Sequence, residues 1–403
     1  MKYILFVLDG MSDHASEELG GKTPLEASKI PNLHYLTKHG KIGSVLHVPD
    51  RIEPTASASA LSLFGYNPKE HKVGLGPLEA ANLEIKLEDN EIAFRMNFIT
   101  ESDGMLADYT AGHISTKEAK ALVTFLNKKI SSEFVKFFAG SGYGHIAVVK
   151  DAKGFEGLSA KCVTPEQALG KRIESCLPSG NGAEMIKKLM YDMKLLLDQH
   201  EINQVRLDLR ENPANMVWFW AQGVRPKLNK FSERFSGLTG AVISSDDYMK
   251  GLGRLMGLTV VDMPHIAEDE VVNYEAQAEA MMDVLEEKDF VCIHVKACEQ
   301  ASLEGNLKRK ISSLEAIDYY LVQAMKSFYE SEKEARILIS PLLSIPWKLK
   351  APVRESVPFI LVGKNVVPDE IEKFSETTAK LSNFRLKEGY QLIDHLMSGK
   401  ELS

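Results

Sequence analysis

The sequence predicts an α/β fold, built on a doubly wound, mostly parallel sheet with a smaller inserted α+β domain. The chain opens on the continuous apolar run "KYILFVLD", which is typical of a strand buried on both faces. From about residue 183 onward, apolar strands alternate with amphipathic helices, as in a parallel sheet covered on both sides. Between residues 81 and 182, stretches such as "ANLEIKLEDNEIAFRMNFITES" instead alternate apolar and polar residues.

These changes in the pattern of apolar and polar residues predict two domains. The length of 403 residues also exceeds that of one typical domain. We assign residues 1–80 and 183–403 to the α/β core and residues 81–182 to the inserted α+β domain.

Local signals place the elements in order along the chain. Thr23 with Glu26 forms a capping-box pattern for the first helix, and Ser115 with Glu118 forms the same pattern for a helix of the insert. "EFVKFFAGSGYGHIAVVKDA" is typical of a hairpin around a glycine-rich turn. Later strands are predicted at "NMVWFWAQG", "GAVISS", "LTVVDMP", "DFVCIHVKA", "ARILISPLL" and "VPFILVG". We expect Trp218 and Trp220 of the first of these to lie in the core sheet.

The composition of the sequence restricts the classes of partner and the cellular compartment that we expect. The formal net charge of -8 argues against a nucleic-acid partner, which would favour a basic face. No apolar run approaches the roughly 20 residues that a membrane span needs, and no signal-peptide pattern opens the chain. The four cysteines show no CxxC spacing, so we expect free thiols. A cytoplasmic location is therefore expected, with no membrane partner.

Several phrases together resemble one family. They are "LDGMSD", "ELGGKTPLEASKIPNL", "LFGYNP", "GLGPLEAA", "IAFRMNF", "DYTAGHIS", "NPANMVWFWAQGVRPKL" and "GLTGAVISSDDYMKGLGRLMGL". In this order they resemble the archaeal-type, cofactor-independent (2,3-bisphosphoglycerate-independent) phosphoglycerate mutases of the alkaline phosphatase superfamily. The resemblance implies an alkaline-phosphatase-like core with two divalent metals (Mn, Zn or Mg). It also implies a serine nucleophile and isomerase activity in glycolysis, the interconversion of 2- and 3-phosphoglycerate.

The resemblance also assigns positions to the catalytic residues, and most of these positions have changed. The first metal-binding Asp corresponds to Asp9, which is present. The nucleophile position corresponds to Ala56, flanked by Thr55 and Ser57. Glu299 and Glu304 stand at two acidic metal positions, and the remaining metal positions hold Leu303, Leu342, Leu343 and Pro352.

The substrate-binding positions are partly kept. The resemblance implies that five substrate-binding residues remain, namely Arg95, Asn97, His145, Asn215 and Arg225. Four cationic positions are lost and hold Leu75, His113, Gly144 and Gln277. Each lost cation removes a charge-assisted hydrogen bond to an anionic substrate.

We therefore predict a pseudoenzyme: a degenerate phosphoglycerate-mutase homologue that is inactive as a mutase. It would need no cofactor and would act through binding or assembly, with an unknown protein partner or a small anionic ligand. The alternative is a divergent metal-dependent mutase or phosphatase. This alternative would use Thr55 or Ser57 as the nucleophile, with two divalent metals held by Asp9, Glu299 and Glu304.

Four further expectations concern the surroundings of Asp9. We expect Asp9 at a strand end, near Ala56, Leu342, Leu343 and Pro352. His294 is predicted to be a hydrogen-bonded core residue, and Asp246 and Asp247 to cap the helix that follows them. A Ser-His-Asp hydrolase is not supported, because the sequence contains no G-x-S-x-G elbow.

Overall fold

The computed structural model describes residues 1–151, 156–263 and 273–398. Within these residues the β-strands are β1 (Lys2–Leu8), β2 (Gly40–Val45), β3 (Glu91–Ser102), β4 (Met105–Asp108), β5 (Val135–Ala139), β6 (Gly144–Lys150), β7 (Met216–Val224), β8 (Gly240–Ser244), β9 (Thr259–Asp262), β10 (Phe290–Val295), β11 (Ala335–Ser340), β12 (Val357–Gly363) and β13 (Arg385–Leu386).

The α-helices are α1 (Pro24–Ala27), α2 (Pro31–Lys38), α3 (Ala56–Leu63), α4 (Leu75–Asn82), α5 (Thr116–Ile130), α6 (Pro165–Ala168), α7 (Ile173–Cys176), α8 (Ala183–Leu197), α9 (Glu201–Asp208), α10 (Phe231–Arg234), α11 (Asp247–Leu255), α12 (Tyr274–Glu287), α13 (Ala297–Glu304), α14 (Leu307–Ile317), α15 (Gln323–Ser331), α16 (Glu376–Leu381) and α17 (Leu392–Ser398). The predicted capping boxes of α1 and α5 are both present. Across the three described ranges, no helix is long and apolar enough to cross a membrane.

The first compact unit comprises Met1–Lys72 and Leu228–Ser403. Its eight-stranded sheet has the order β13-β2-β12-β11-β1-β10-β8-β9. Strand β1 lies between β10 and β11 and is parallel to both, and β8 and β9 continue the parallel pairing. Only β12 runs antiparallel to its two neighbours. The predicted α/β class with a mostly parallel sheet is confirmed.

Burial explains why the central strands have continuous apolar sequences. Every residue of β10 and β11 is buried, and in β1 only Lys2 is partly exposed. Side chains such as Phe6, Ile293 and Ile339 belong to one core that the surrounding helices also line. Helix α11 packs so closely on β8 that a Cβ at Gly253 would lie 2.8 Å from Val242 Cγ2. This close approach explains why residue 253 is a glycine.

The second compact unit comprises Val73–Lys227 and is larger than the predicted insert of 81–182. Its five-stranded sheet has the order β4-β3-β6-β5, and β7 pairs with β3. All four pairings are antiparallel. The predicted boundary at residue 183 differs because β7, with its buried Trp218 and Trp220, hydrogen-bonds to β3 and not to the core sheet. Helix α8 packs on β7 and belongs to the same unit.

A fully buried ion pair stabilises the first unit. Lys310 on α14 donates to the Asp13 carboxylate, and neither side chain is more than 1% exposed. The same carboxylate accepts the Trp347 backbone N–H at 3.1 Å, and Lys310 Nζ also donates to the Ile345 carbonyl at 3.3 Å. These additional partners satisfy the pair within the protein, which is what makes a buried ion pair tolerable.

Glu376 of α16 continues this network. Its carboxyl group accepts the Asp13 backbone N–H at 2.9 Å and the Thr23 hydroxyl at 2.7 Å. Burial, assisted by the nearby Glu26 charge, raises the pKa of Glu376 to about 7. Because the folded pKa lies above that of an ordinary glutamate, the folded state favours the protonated form.

The stability of the chain should therefore fall as the pH rises. The contribution of protonated Glu376 is complete below the pKa of an unfolded glutamate and is lost as the pH rises through about 7. Between about pH 5 and about pH 8, we expect the free energy of unfolding of the parent to fall by about 1–3 kcal/mol relative to Glu376→Gln. Urea unfolding of both proteins across this range measures the difference. Parallel pH profiles would show that Glu376 is already ionised at about pH 5.

Candidate functional site

Asp9 lies directly after β1, at the carboxyl end of the strand, and is only 3% exposed. One carboxylate oxygen, Oδ1, accepts the Leu342 backbone N–H at 2.8 Å. The other, Oδ2, lies 2.8 Å from His294 Nε2. Both oxygens of Asp9 therefore have a protein donor, and the predicted position beside Leu342 is confirmed.

Two neighbouring strands extend this group. His294 is on β10, and its Nδ1 lies 2.8 Å from Oγ of Ser244, the last residue of β8. Ser244 Oγ also accepts the Asp246 backbone N–H at 3.0 Å. Because β1, β10 and β8 are parallel neighbours, their carboxyl ends meet at one edge of the sheet. His294 is a hydrogen-bonded core residue, as predicted.

The residue types of a Ser-His-Asp triad are thus joined in one hydrogen-bonded chain, although the sequence contains no G-x-S-x-G elbow. That elbow is one local way to present a serine, whereas Ser244, His294 and Asp9 come from three separate strands. Ser244 is 1% exposed and its oxygen is already bonded to a backbone N–H, so it cannot reach a substrate. The chain of hydrogen bonds orients Asp9 and His294.

Further charged side chains surround Asp9. Lys296, directly after β10, forms an ion pair with Asp246. Asp246 stands at the N-cap position of α11, but its side chain makes no capping bond, so that part of the prediction is wrong. The carboxylate pairs with Lys296 because this cation lies in its reach at the same sheet edge.

Burial and charge shift the titration of this group. Burial disfavours the imidazolium of His294, but the hydrogen bond and charge of Asp9 outweigh it and raise the pKa of His294. Burial, together with the charges of Asp9 and Asp246, raises the pKa of Glu299 to about 8. The Tyr248 hydroxyl is buried without a hydrogen-bond partner in the described parts of the chain. Burial, with the same carboxylates, raises the pKa of Tyr248 well above its usual range.

Gly10 allows Asp9 to lie this close to α13. Its φ is +71°, and a Cβ at this position would lie 2.3 Å from the Glu299 backbone nitrogen. Any other residue would therefore clash with the backbone of α13 and adopt a left-handed conformation that disfavours a side chain. In the opening phrase, Asp9 thus provides the carboxylate, and Gly10 is required for packing against α13.

The expected nucleophile region forms the start of helix α3. Ala56 is its first residue, and the Thr55 hydroxyl caps it by accepting the Ala58 backbone N–H at 3.2 Å. Thr55 Oγ1 and Ser57 Oγ lie 3.2 Å apart, and Ser57 is 3% exposed. Both hydroxyls are therefore engaged in the structure of the helix terminus.

In the second unit, three of the five expected substrate-binding residues lie on the paired strands β3 and β6. Arg95 and Asn97 share one face of the sheet, whereas His145 is opposite Met96 and lies on the other face. Asn97 Oδ1 accepts the Trp220 indole N–H at 3.1 Å, and His145 Nδ1 accepts the Gly140 backbone N–H at 3.1 Å. Asn97 Nδ2 and His145 Nε2 are buried and have no partner among the described residues.

Arg95 lies in the same sheet, beside a carboxylate and an aromatic ring. Its Nε is 3.2 Å from Glu79 Oε2, and its guanidinium carbon is 4.8 Å from the centre of the Trp220 ring. Burial, followed by the positive charge of Arg95, lowers the pKa of His145 to about 3, so this imidazole is neutral. Since Nδ1 accepts a hydrogen bond, the ring proton is on Nε2, the atom without a partner.

The remaining expected residues do not join these groups. Asn215 is bonded through both side-chain atoms to the backbone of Glu101, which is a structural role. Arg225 is exposed just after β7. Glu304, expected as a metal position, forms an ion pair with Arg309 at the surface, with its side chain 47% exposed.

The sequence pattern of the family described as 2,3-bisphosphoglycerate-independent phosphoglycerate mutase matches residues 37–203. A protein of that name from Methanosarcina barkeri is 35% identical over 402 residues, which cover 99% of this chain and 100% of that protein. The chain belongs to the 2,3-bisphosphoglycerate-independent phosphoglycerate mutase family. A probable mutase of this family from Geobacter sulfurreducens is 34% identical, over 98% of this chain and 100% of that protein.

Solved structures agree with this family membership. The cofactor-independent phosphoglycerate mutase from Thermoplasma acidophilum superposes with a TM-score of 0.64 at 25% identity, covering 99% of each chain. The PH0037 protein from Pyrococcus horikoshii has the same fold, with a TM-score of 0.80 at 24% identity and coverage of 100% of this chain and 98% of that chain.

The side chains at the positions that the resemblance assigns to the metals do not fit a pair of divalent ions. Hard divalent metals need several carboxylate or imidazole donors. Asp9 already accepts a hydrogen bond on each oxygen, and Leu342 and Leu343 are buried apolar side chains. Among the described residues, no group of three or more His, Cys, Asp or Glu side chains is arranged to hold a metal ion.

Ser244, Tyr248 and Lys296 contribute to the Asp9 group, and the sequence did not single them out. Ser244 and Lys296 stand at the carboxyl ends of the predicted strands "GAVISS" and "DFVCIHVKA". Parallel strands bring such ends to one edge, so the same rule that located Asp9 would have located them. No sequence signal located Tyr248, whose position depends on the packing of α11.

Proposed function

We propose that this phosphoglycerate-mutase homologue carries out no metal-dependent phosphoryl transfer and acts by binding a small anionic ligand through its second unit. The observation that carries this proposal is the environment of Asp9. Its two oxygens face His294 and the Leu342 N–H at 2.8 Å each, where a mutase would need them for metal. The His294 imidazole and the Leu342 backbone N–H stabilise the carboxylate in place of a metal ion.

The nucleophile position supports the same conclusion. Ala56 has no hydroxyl, and its neighbours Thr55 and Ser57 bond to each other and to the terminus of α3. A hydroxyl becomes a competent nucleophile only when a base or a metal lowers its pKa. The divergent-mutase alternative would need either group to leave this arrangement and acquire such a partner.

The second unit supports the binding part of the proposal. Asn97 Nδ2 is a buried donor without an acceptor in the described part of the chain, and its side chain lies on the same face of the sheet as Arg95. Leaving a buried donor without a partner destabilises the folded protein by about 1–3 kcal/mol. A hydrogen bond to a ligand oxygen would recover this free energy. Arg95 adds positive charge in the same sheet. Carboxylate or phosphate oxygens match these donors.

The expected location and partner classes belong to this proposal too. Four free cysteines favour the cytoplasm, and the net charge of -8 disfavours nucleic acid. A protein partner is the remaining route by which an inactive homologue would act. We favour the anion because the unpaired Asn97 donor points to a ligand, whereas no described surface points to one particular protein.

Asn97→Ala should weaken anion binding. The variant removes the free Asn97 donor, and a hydrogen bond to a charged acceptor contributes about 1.5–3 kcal/mol, so we expect the Kd for 3-phosphoglycerate to rise about tenfold or more. Isothermal titration calorimetry measures this Kd. Asn215→Ala is the matched control, since Asn215 bonds only to the backbone of Glu101. Equal affinities of the parent and Asn97→Ala would remove Asn97 from the proposed site.

An enolase-coupled assay tests the catalytic part of the proposal. The purified chain, supplied with manganese, should not convert 3-phosphoglycerate to 2-phosphoglycerate, while the Methanosarcina barkeri relative serves as the positive control. Turnover that disappears in Asp9→Ala would overturn the proposal. If Thr55→Ala or Ser57→Ala also abolished turnover, the divergent-mutase alternative would be correct.

A further inference from the structure

Two of the four cysteines line one cavity in the second unit. The cavity has a volume of about 470 Å³, and Cys162 and Cys176 both contribute to its wall. Both are free, half-buried thiols that pack against the edge of the same hydrophobic core. Neither belongs to the Asp9 group or to the proposed anion site, so this cavity is a separate feature of the fold.

The backbone holds the two cysteine segments side by side. Lys161 N–H donates to the Ser179 carbonyl at 2.8 Å, and Ser179 N–H donates to the Lys161 carbonyl at 3.0 Å. Residues that exchange both bonds in this antiparallel way have Cα atoms about 5.5 Å apart. Cys162 follows Lys161 directly, and Cys176 ends the short helix α7 three residues before Ser179. The bridge therefore keeps the Cys162 segment beside the segment that contains Cys176, so that both thiols line one cavity.

We propose that Cys162 and Cys176 are a modification site and form a reversible disulfide across this cavity. The oxidant is a low-molecular-weight disulfide of the glutathione type. The proposal is independent of the function proposed above, because it concerns neither Asp9 nor the anion site.

The reaction proceeds by two thiol–disulfide exchanges. The Cys176 thiolate attacks one sulfur of oxidised glutathione, the glutathione S–S bond breaks, and one glutathione thiolate leaves and takes up a proton. The Cys162 sulfur then loses its proton, attacks the Cys176 sulfur and displaces the second glutathione. Two protein thiols are oxidised, and one oxidised glutathione is reduced to two thiols.

Burial sets the order of the two exchanges. It raises the pKa of Cys162 to about 12, against a smaller opposing effect of the Gln222 hydrogen bond. Cys162 is therefore protonated at neutral pH and is a poor first nucleophile. The first exchange thus belongs to Cys176, whose sulfur lies 3.6 Å from the Ser175 hydroxyl.

A metal site is a poorer explanation of this thiol pair. Zinc in structural sites takes about four sulfur or nitrogen ligands. The cavity provides two thiols and one carboxylate, that of Glu174. Within the described ranges, no group of three His, Cys, Asp or Glu residues could hold a metal ion. A two-sulfur bond is the chemistry that two thiols can complete alone.

The test is intact-mass analysis of the full chain after incubation with oxidised glutathione, followed by alkylation of the remaining thiols. The expected product has lost two hydrogens and two alkylation sites, and digestion yields one cross-linked peptide pair that contains Cys162 and Cys176. Cys162→Ser and Cys176→Ser each abolish the cross-link. The double variant Cys292→Ser/Cys298→Ser keeps it, because these two buried thiols lie in the first unit.

Thermal unfolding provides a second measurement. Oxidation should raise the unfolding midpoint of the parent and of the Cys292→Ser/Cys298→Ser control, but not of Cys162→Ser, since a cross-link restricts the unfolded chain. Glutathione adducts without a cross-link would overturn the proposal. So would unchanged thiols, or a cross-link that involves Cys292 or Cys298.

Discussion

Replacing Lys310 with methionine should strongly destabilise the first unit. The variant leaves the Asp13 carboxylate buried without its cation, since both side chains are at most 1% exposed. Removing one partner of a buried ion pair lowers the free energy of unfolding by about 3–5 kcal/mol. Urea unfolding at neutral pH, followed by far-ultraviolet circular dichroism, measures the change.

Lys308→Met is the matched control for this prediction. It makes the same substitution on the same helix, but Lys308 is exposed. We expect its effect to stay within about 0.5 kcal/mol, as for most surface substitutions. If both variants lost the same stability, the loss would come from α14 itself and not from the Asp13 partnership.

Replacing Asp9 with alanine should have a comparable effect, and the effect should not depend on divalent metal. The variant leaves His294 without its carboxylate and the Leu342 N–H without its acceptor, both in a buried site. Breaking a buried pair in this way lowers the free energy of unfolding by about 3–5 kcal/mol. The loss should be the same in manganese and in EDTA, because the partners of Asp9 are protein groups.

Glu304→Ala is the control for Asp9→Ala, because Glu304 stands at another of the family's metal positions but pairs with Arg309 at the surface. An exposed ion pair contributes at most about 1 kcal/mol, so this variant should unfold nearly as the parent does. Stabilisation of the parent by manganese that vanishes in both variants would instead place a metal between these carboxylates.

The sequence was informative wherever the signal is local or strictly periodic. The apolar runs of β1, β10 and β11 predicted buried parallel strands, and the Thr23–Glu26 and Ser115–Glu118 patterns predicted two capping boxes that the structure contains. Family phrases located Asp9 and Leu342, whose backbone N–H donates to the Asp9 carboxylate. These inferences need only neighbouring residues or a fixed register.

Pairings between residues that are far apart in the sequence were harder to predict. Strand β7 has the continuous apolar character of a core strand, yet it pairs antiparallel with β3 in the second unit. Its character comes from burial of Trp218 and Trp220 in that unit's own core. Apolar content reports burial and not the partner strand, so the boundary at residue 183 was misplaced.

The hydrogen-bonded chain from Asp9 to Ser244 shows the same limit. Its hydrogen-bonded pairs are 50 and 285 positions apart in the sequence, and only the order of β1, β10 and β8 in the sheet brings them together. The prediction for Asp246 failed for the opposite reason. A local rule predicted that its side chain caps α11, but the carboxylate pairs with Lys296 instead. Tertiary charge placement decided the role of that carboxylate.

The Asp9 environment gives a physical reason why, under the proposed function, this fold needs no bound metal. Taking carboxylates out of water is unfavourable unless a cation or hydrogen bonds compensate them. In this chain the His294 imidazole, Lys296 and the Leu342 N–H provide that compensation within the first unit. The framework would then stay folded after the donors at Leu342, Leu343 and Pro352 were replaced.

The metal content of the purified chain tests this account most directly. After equilibration with excess manganese and removal of free ions, inductively coupled plasma mass spectrometry gives the number of ions per chain. The account predicts no stoichiometric manganese in either the parent or Asp9→Ala. Two tightly held ions per parent chain, lost in Asp9→Ala, would contradict it.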